Sequence, residues 1–284
     1  MKLFNKVAII GVGLIGGSIG LAIKKRRIAR EVIGVFRRTS TLKKALKKKA
    51  VDRATLSIKK GVEGADLIIL ASPVFSIPGL AADAVKYAKE GAIITDVGST
   101  KGWIVGCVEE MMGAHKMVAF VGSHPMAGSE HAGVEFAEGD LLKSAPCIVT
   151  KTARTDGRAL DKIKKFWKNL GADVKVMSPA SHDKSVAFIS HLPHIVAFSL
   201  AGAVPEKEMA YAAEGFKDTT RVASSDPNLW ADIFLTNKNE IMPAAKVFEK
   251  HYKNIARALS RSDYAGIVRI LKRAKSKRDK LRDP

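Results

Sequence analysis

Residues Val7–Ile23 form an apolar run between basic flanks, broken by Gly11, Gly13, Gly16, Gly17 and Gly20. By length and flanks the run matches the outline of a signal anchor. Glycine is a poor helix former, and the first three glycines have a more specific reading. Lys6–Ile10 reads as a strand and Leu14–Arg27 as a helix, with Gly11-Val-Gly13-Leu-Ile-Gly16 between them. In a strand–GxGxxG–helix unit, Gly11 allows the tight turn, Gly13 lets the backbone approach a pyrophosphate, and Gly16 allows close packing of helix on strand. The N–H groups at the helix start, from Leu14 and Ile15 onward, then face the phosphates. The competing reading is a glycine-rich turn with no ligand. No other stretch is expected to be long enough to span a bilayer.

The first half continues as strand-helix alternation. Short apolar runs at Lys6–Ile10, Val32–Phe36, Asp66–Ala71, Ala92–Val97 and Met117–Val121 alternate with helical patterns at Leu14–Arg27, Thr41–Lys49, Ile77–Lys89 and Lys101–Gly113. Such runs suit strands buried on both faces, and the alternation implies a doubly wound parallel sheet of Rossmann type. Pro146–Thr150 and Asp173–Met177 flank a helix at Gly157–Leu170 and are expected to extend that sheet. After Ser178 the pattern becomes helix upon helix: Pro179–Val204, Glu208–Ser224, Asn228–Thr236, Asn239–Leu259 and Ser262–Arg282. The expectation is α/β, with a dinucleotide-binding domain over 1–178 and an all-α domain over 179–284. The helical stripes suit either that domain's own core or packing into a homodimer.

The formal net charge is +20 over 284 residues. Lys and Arg clump at Lys24–Arg27, Lys43–Lys49 and Lys272–Arg282, but no aromatic residues interleave with them. Base stacking therefore has no platform, and each clump reads as solvated surface; neither a nucleic-acid nor a membrane partner is expected. A small anionic ligand fits the charge equally well. The two cysteines, Cys107 and Cys147, have no metal-ligand spacing and suit a reducing, cytoplasmic compartment.

The end of the second strand chooses between dinucleotides. An NAD-binding chain usually carries an acid there for the ribose 2′-hydroxyl. Here Phe36 takes the place, followed by Arg37, Arg38, Thr39 and Ser40. Guanidinium groups bind a 2′-phosphate through charge-assisted, often bidentate bonds, with Ser40 as a hydroxyl donor. The reading is NADP; the alternative is two solvated arginines.

Ligands of such sheets sit outside the carboxyl ends of the strands. Ser72-Pro73, Asp96-Val-Gly-Ser99-Thr-Lys101 and Ser123-His124-Pro125 through Glu130 fall there. Ser99 is a candidate helix N-cap. His124 is expected in a glycine-flanked loop, where an imidazole can act as general base. His191 and His194 share a helix face. No Cys or carboxylate completes a metal site around them, so His191 reads as a satisfied core histidine. Asp218 with Arg221 reads as a helix ion pair, and His182 with Asp183 as helix-start capping residues.

The segments Asp96-Val-Gly-Ser-Thr-Lys101, Gly122-Ser-His-Pro-Met-Ala-Gly128 with Glu130 and Gly133, Ser190-His-Leu-Pro-His194, and Gly215-Phe-Lys-Asp-Thr-Thr-Arg221 with Ser225-Asp-Pro227 and Trp230 occur in this order. In this set the chain resembles the prephenate/arogenate dehydrogenases of tyrosine biosynthesis over essentially its whole length. The resemblance implies an oxidative decarboxylation: hydride leaves ring C4 as CO2 leaves C1, and the ring becomes aromatic. It implies His124 as acceptor for the C4 hydroxyl proton, with Ser99 orienting histidine and hydroxyl. Arg221, His194 and Lys217 fall on the substrate, and Ser72 and Pro73 on the cofactor. The sequence ends at Pro284 just past its last helix, so neither a fused chorismate mutase nor an ACT domain is expected. Two rivals stand beside this reading. One is another NADP-dependent hydroxy-acid dehydrogenase using a helix lysine, for which Lys217 is the candidate. The other is a non-catalytic nucleotide- or nucleic-acid-binding protein.

Overall fold

The computed structural model describes residues 2–113, 117–128 and 131–281. Ser129 and Glu130 of the loop after His124, and Arg282 at the end of the last basic clump, lie outside the described residues. The chain divides into two compact units, 1–238 and 239–284.

Six parallel strands build the main sheet: β1 (Phe4–Ile10), β2 (Ala29–Val35), β3 (Arg53–Thr55), β4 (Leu67–Leu70), β5 (Ile93–Asp96) and β6 (Ala119–Val121), in the order β3-β2-β1-β4-β5-β6. That order is the doubly wound one, with the switch point between β1 and β4. The helices of the first unit are α1 (Leu14–Lys25), α2 (Thr39–Lys47), α3 (Ile58–Val62), α4 (Ile77–Val85), α5 (Gly102–Met112), α6 (Gly157–Asn169), α7 (Pro179–Val186), α8 (Leu192–Ala203), α9 (Glu214–Thr220) and α10 (Pro227–Thr236). The second unit holds most of α11 (Lys238–Ser260) and all of α12 (Tyr264–Arg278).

Side chains alternate across a strand, and here both faces of the sheet are apolar. Val7, Ile9, Leu67 and Ile69 pack in one cluster with Ile19 and Ile23 of α1 and Phe166 and Trp167 of α6. Ala8, Ile10, Ile68 and Leu70 pack in the other with Ile77 and Ala81 of α4 and Ile104 and Val108 of α5. The apolar run Val7–Ile23 is thus a buried strand, a turn and a buried helix. Polar, partly exposed β3 gave no apolar signal in the sequence; it is an edge strand held by pairing with β2.

Two expectations are corrected. Pro146–Thr150 and Asp173–Met177 do not extend the main sheet. They form β8 and β9 of a separate three-stranded sheet with β7 (Ser123–Pro125), in the order β7-β8-β9. The chain changes sheets at Gly122, where a Cβ would lie 2.6 Å from Thr150 Oγ1 and 2.9 Å from Val105; only glycine passes that crossing. The helix expected over Glu208–Ser224 is broken into 3-10 turns around the short α9.

A third correction concerns Pro179–Ala203. Helix α7, a π-helical turn (Ala187–His191) and α8 run on as one helix of mean hydropathy 1.5, long and apolar enough by length and composition to cross a membrane. The sequence reading had placed no such stretch beyond the first apolar run. This helix also carries His182, Asp183, His191 and His194, which the site requires.

Candidate active site

The glycine turn is built for close approach. Gly11 has φ +91°, and a Cβ there would lie 2.2 Å from the carbonyl oxygen of Ala71. A Cβ on Gly16 would lie 2.1 Å from the Gly11 carbonyl oxygen. A Cβ on Gly13 would meet no protein atom within 4 Å. Crowding by the protein therefore explains glycine at 11 and 16. At Gly13, glycine instead keeps the face at the start of α1 clear for a group from outside. Gly17 N–H closes the first helical bond on Gly13, which leaves the N–H groups of Leu14, Ile15 and Gly16 at the positive end of α1. These residues fit a pyrophosphate. Ser72 lies beside this turn, its Oγ 3.5 Å from the Ile10 carbonyl, and Pro73 opens a 3-10 turn ahead of α4.

At the end of β2, Phe36 is buried in the core, its ring lying where a Gly34 Cβ would be and against Val12. Arg37, Arg38 and Ser40 are exposed at the start of α2, with Arg38 as its N-cap residue. No Asp or Glu follows β2 in the segment Phe36-Arg37-Arg38-Thr39-Ser40.

His124 lies on β7 and is buried, not in a loop as expected. Its Nδ1 is 2.8 Å from His182 Nε2, and His182 Nδ1 is 2.7 Å from Asp183 Oδ1. The protons follow from the far end. A carboxylate only accepts, so His182 Nδ1 donates to Asp183. Neutral His182 then accepts at Nε2, so His124 donates from Nδ1 and keeps Nε2 as its proton acceptor. Burial pushes both rings below the ordinary histidine value of 6.5; around His124 the neighbouring His182, Lys101 and His191 add to that effect, and it lies well below. Neutral His124 is the base form.

Asp183 also accepts from the backbone N–H of Lys101 and of Gly102, each at 2.7 Å. It therefore caps α5 from another element, at the end where the helix dipole favours an anion. This corrects two readings: α7 is capped by Ser178, not by His182 or Asp183, and Ser99 is not the cap of α5. Ser99 is half-buried in the bend between β5 and α5.

Ser123, the residue before His124, is gripped at every polar atom. Its N–H donates to Asp96 at 3.1 Å, and its carbonyl accepts from Lys101 Nζ at 2.9 Å. Thr95 Oγ1 donates to the Val121 carbonyl, so Ser123 Oγ donates to Thr95 and accepts from Trp167 Nε1 at 3.0 Å. Asp96 and Lys101 form an ion pair with both side chains fully buried.

His194 stacks on Trp230, ring centroids 3.4 Å apart, and its Nδ1 donates to the Ser190 carbonyl at 2.8 Å, which turns Nε2 outward. Burial lowers its pKa, and nearby Arg221 lowers it further. Arg221 opens the 3-10 turn (Arg221–Ser224) that follows α9, close enough to His194 to disfavour its protonation. Lys217 is exposed and pairs with Glu214 at 3.0 Å. His191 is not the fully satisfied core residue expected. Asn237 meets its Nδ1 at 3.1 Å, but among the described residues its buried Nε2 has no hydrogen-bond partner, and burial lowers its pKa to about 4.

Sequence reasoning missed the roles of His182, Asp183, Lys101, Trp167 and Asn237. The adjacent His182-Asp183 pair in an otherwise apolar helix was the available signal, since that pairing commonly orients an imidazole.

Comparison with known proteins accords with this geometry. Residues 19–176 match the family model "Prephenate dehydrogenase, nucleotide-binding domain", and residues 178–273 match "Prephenate dehydrogenase, dimerization domain". The chain is 36% identical to a prephenate dehydrogenase of Bacillus subtilis, over 98% of this chain and 76% of that one. A crystal structure of prephenate dehydrogenase from Aquifex aeolicus, in complex with hydroxyphenyl propionate and NAD+, superposes with a TM-score of 0.90 at 34% identity, covering 98% of each chain. Synechocystis arogenate dehydrogenase superposes with a TM-score of 0.81 at 29% identity, covering 97% of this chain and 99% of that one. A glycine-cradled doubly wound domain, a buried histidine at its strand ends and these matches along nearly the full length place the chain in the prephenate/arogenate dehydrogenase family.

Proposed function

We propose that the protein oxidatively decarboxylates prephenate or arogenate with NADP as hydride acceptor, in the cytoplasm, as a step of tyrosine formation. The observation that carries the reading is the His124–His182–Asp183 chain, which leaves a neutral imidazole acceptor on a buried strand at the reacting end of the sheet. His124 Nε2 accepts the C4 hydroxyl proton as hydride leaves C4 and CO2 leaves C1, and the proton returns to the ring oxygen as the phenol forms, leaving His124 neutral. The positive charge held by the imidazole between those two transfers is met through His182 by the Asp183 carboxylate. A dinucleotide whose pyrophosphate is held by the glycine turn would supply the hydride acceptor through its nicotinamide. Ser99 orients the hydroxyl, and Arg221, His194 and Lys217 bind the substrate, Arg221 and His194 at its carboxylates. Held positions of this kind supply much of the rate in such a reaction.

The preference for NADP rests on the β2 end. Phe36 is committed to the core, no Asp or Glu falls within Phe36–Ser40, and Arg37 and Arg38 are exposed at the end of β2, which supports a 2′-phosphate as their ligand. The Aquifex relative was crystallised with NAD+, so the two dinucleotides are the direct comparison.

We infer a homodimer through the helical region. Phe188, Ile189 and Leu200 of the long apolar helix are exposed in the single chain. In the second unit, Phe248, Tyr252 and Leu259 recur at helical spacing along α11 and are exposed as well. The match to a dimerization domain over 178–273 supports this reading. Helices in water bury such stripes.

Three outcomes are expected. His124→Ala lowers turnover about 1,000-fold or more while dinucleotide affinity, read by fluorescence titration, stays near wild type; equal loss of both removes His124 as the base. Replacing Arg37 and Arg38 together by Ala weakens NADP about 10- to 100-fold, as for two charge-assisted contacts, and leaves NAD nearly unchanged; an unaltered NADP-to-NAD ratio of kcat/KM contradicts the phosphate clamp. Sedimentation equilibrium gives twice the mass of the 30.6 kDa chain, and Ile189→Glu shifts it toward one chain; a wild-type monomer at assay concentration refutes the dimer.

A further inference from the structure

We propose that Lys101 is a positioning residue for His124: its ammonium, paired with Asp96, fixes the Ser123 peptide and stands as a positive charge beside the imidazole. The inference rests on the reading of His124 as the base.

The geometry is specific. Lys101 is fully buried, an arrangement lysine almost never adopts without a partner. Burial pushes its ammonium toward the neutral form, and Asp96, the nearest anion, opposes that. The pair takes both peptide groups of Ser123, the N–H to Asp96 and the carbonyl to Lys101 Nζ. Since β7 is only Ser123–Pro125, fixing that peptide fixes the origin of the His124 side chain. Asp96 ends β5 of the main sheet and also accepts from Gly98 N–H. The pair therefore bolts the smaller sheet, which bears the histidine, to the sheet that bears the glycine turn. Lys101 backbone N–H donates to Asp183, so one residue contacts both ends of the histidine's support.

The ionisable groups facing His124 are His182 and, behind it, Asp183 from α7; Lys101, with Asp96 behind it, from the β5–α5 connection; and His191 from the π-helical turn. After burial and His182, Lys101 is the next cause holding the imidazole neutral. Removing its charge raises the His124 pKa. Neutral imidazole is then lost at a higher pH, and the acid limb of kcat/KM moves up.

Lys101→Met alone leaves Asp96 buried and unpaired, which is strongly destabilising in such sites. The test therefore pairs it with the double variant Lys101→Met, Asp96→Asn, and adds Lys101→Arg. Two readouts are taken on the full chain: kcat and KM against pH with NADP and with prephenate or arogenate, and the His124 ring titration by NMR, assigned with His124→Ala. The double variant removes the nearer positive charge and the more distant Asp96 carboxylate together, so we expect the His124 titration and the acid limb to rise together by about 0.3–0.5 pH unit, less than the shift from one nearby charge. We expect kcat to fall at least about 10-fold, with substrate KM changed less than about threefold, as for loss of transition-state positioning. Lys101→Arg keeps the wild-type limb. A folded double variant whose His124 titrates as in wild type overturns the inference, whatever its activity. Wild-type turnover in His124→Ala instead overturns the base reading and leaves the NMR result to judge Lys101.

Discussion

The Asp183 carboxylate is the contact on which the site depends. It accepts from two backbone N–H groups at the start of α5 and from His182, all at 2.7 Å. One anion thus terminates a Rossmann-domain helix and directs the protons of two imidazoles. Its charge is stabilised without a side-chain cation in direct contact, by a helix dipole and charge-assisted bonds. As a carboxylate Asp183 accepts, and that constraint passes through His182 to give His124 its Nε2 lone pair. Remove the helix terminus and the histidine chain loses its direction.

A second constraint acts on the backbone. The histidine sits on a three-residue strand of the smaller sheet, and so short a strand cannot hold a side chain to within fractions of an ångström by ladder bonds alone. The Asp96–Lys101 pair, Thr95 and Trp167 supply the missing restraint at Ser123. Burying such an ion pair is costly, and hydrophobic residues would pack the space with less risk. Its retention at this place is consistent with a demand for geometry and charge at the neighbouring imidazole, which packing alone does not meet.

Much of the fold is legible in the chain because it follows local rules. Continuous apolar runs such as Leu67–Leu70, glycine at 11 and 16, and the alternation with helices specify a doubly wound sheet without reference to distant residues. The glycine turn and the Phe36-Arg37-Arg38 segment are equally local. Less legible were features created only by tertiary contact. β3 is polar and exists because β2 offers it an edge. β8 and β9 read as more of the same sheet because a strand's pattern does not say which partner it will take; Gly122, where a Cβ meets Thr150, is what diverts the chain. His182 and Asp183 lie 58 and 59 positions beyond His124, and at the start of a helix they imitate caps. Asp183 is indeed a cap, of a helix 81 residues earlier, counted from Gly102. Lys101 looked like the end of a motif because nothing in its neighbours announces that it is buried.

The proton arrangement of the two histidines is reported by their nitrogen chemical shifts. In a long-range 15N–1H spectrum of the 15N-histidine protein at pH 7, both rings are expected to be neutral: His124 protonated at Nδ1 with a bare Nε2, and His182 protonated at Nδ1. A His124 ring protonated at Nε2, or an imidazolium at that pH, would contradict it.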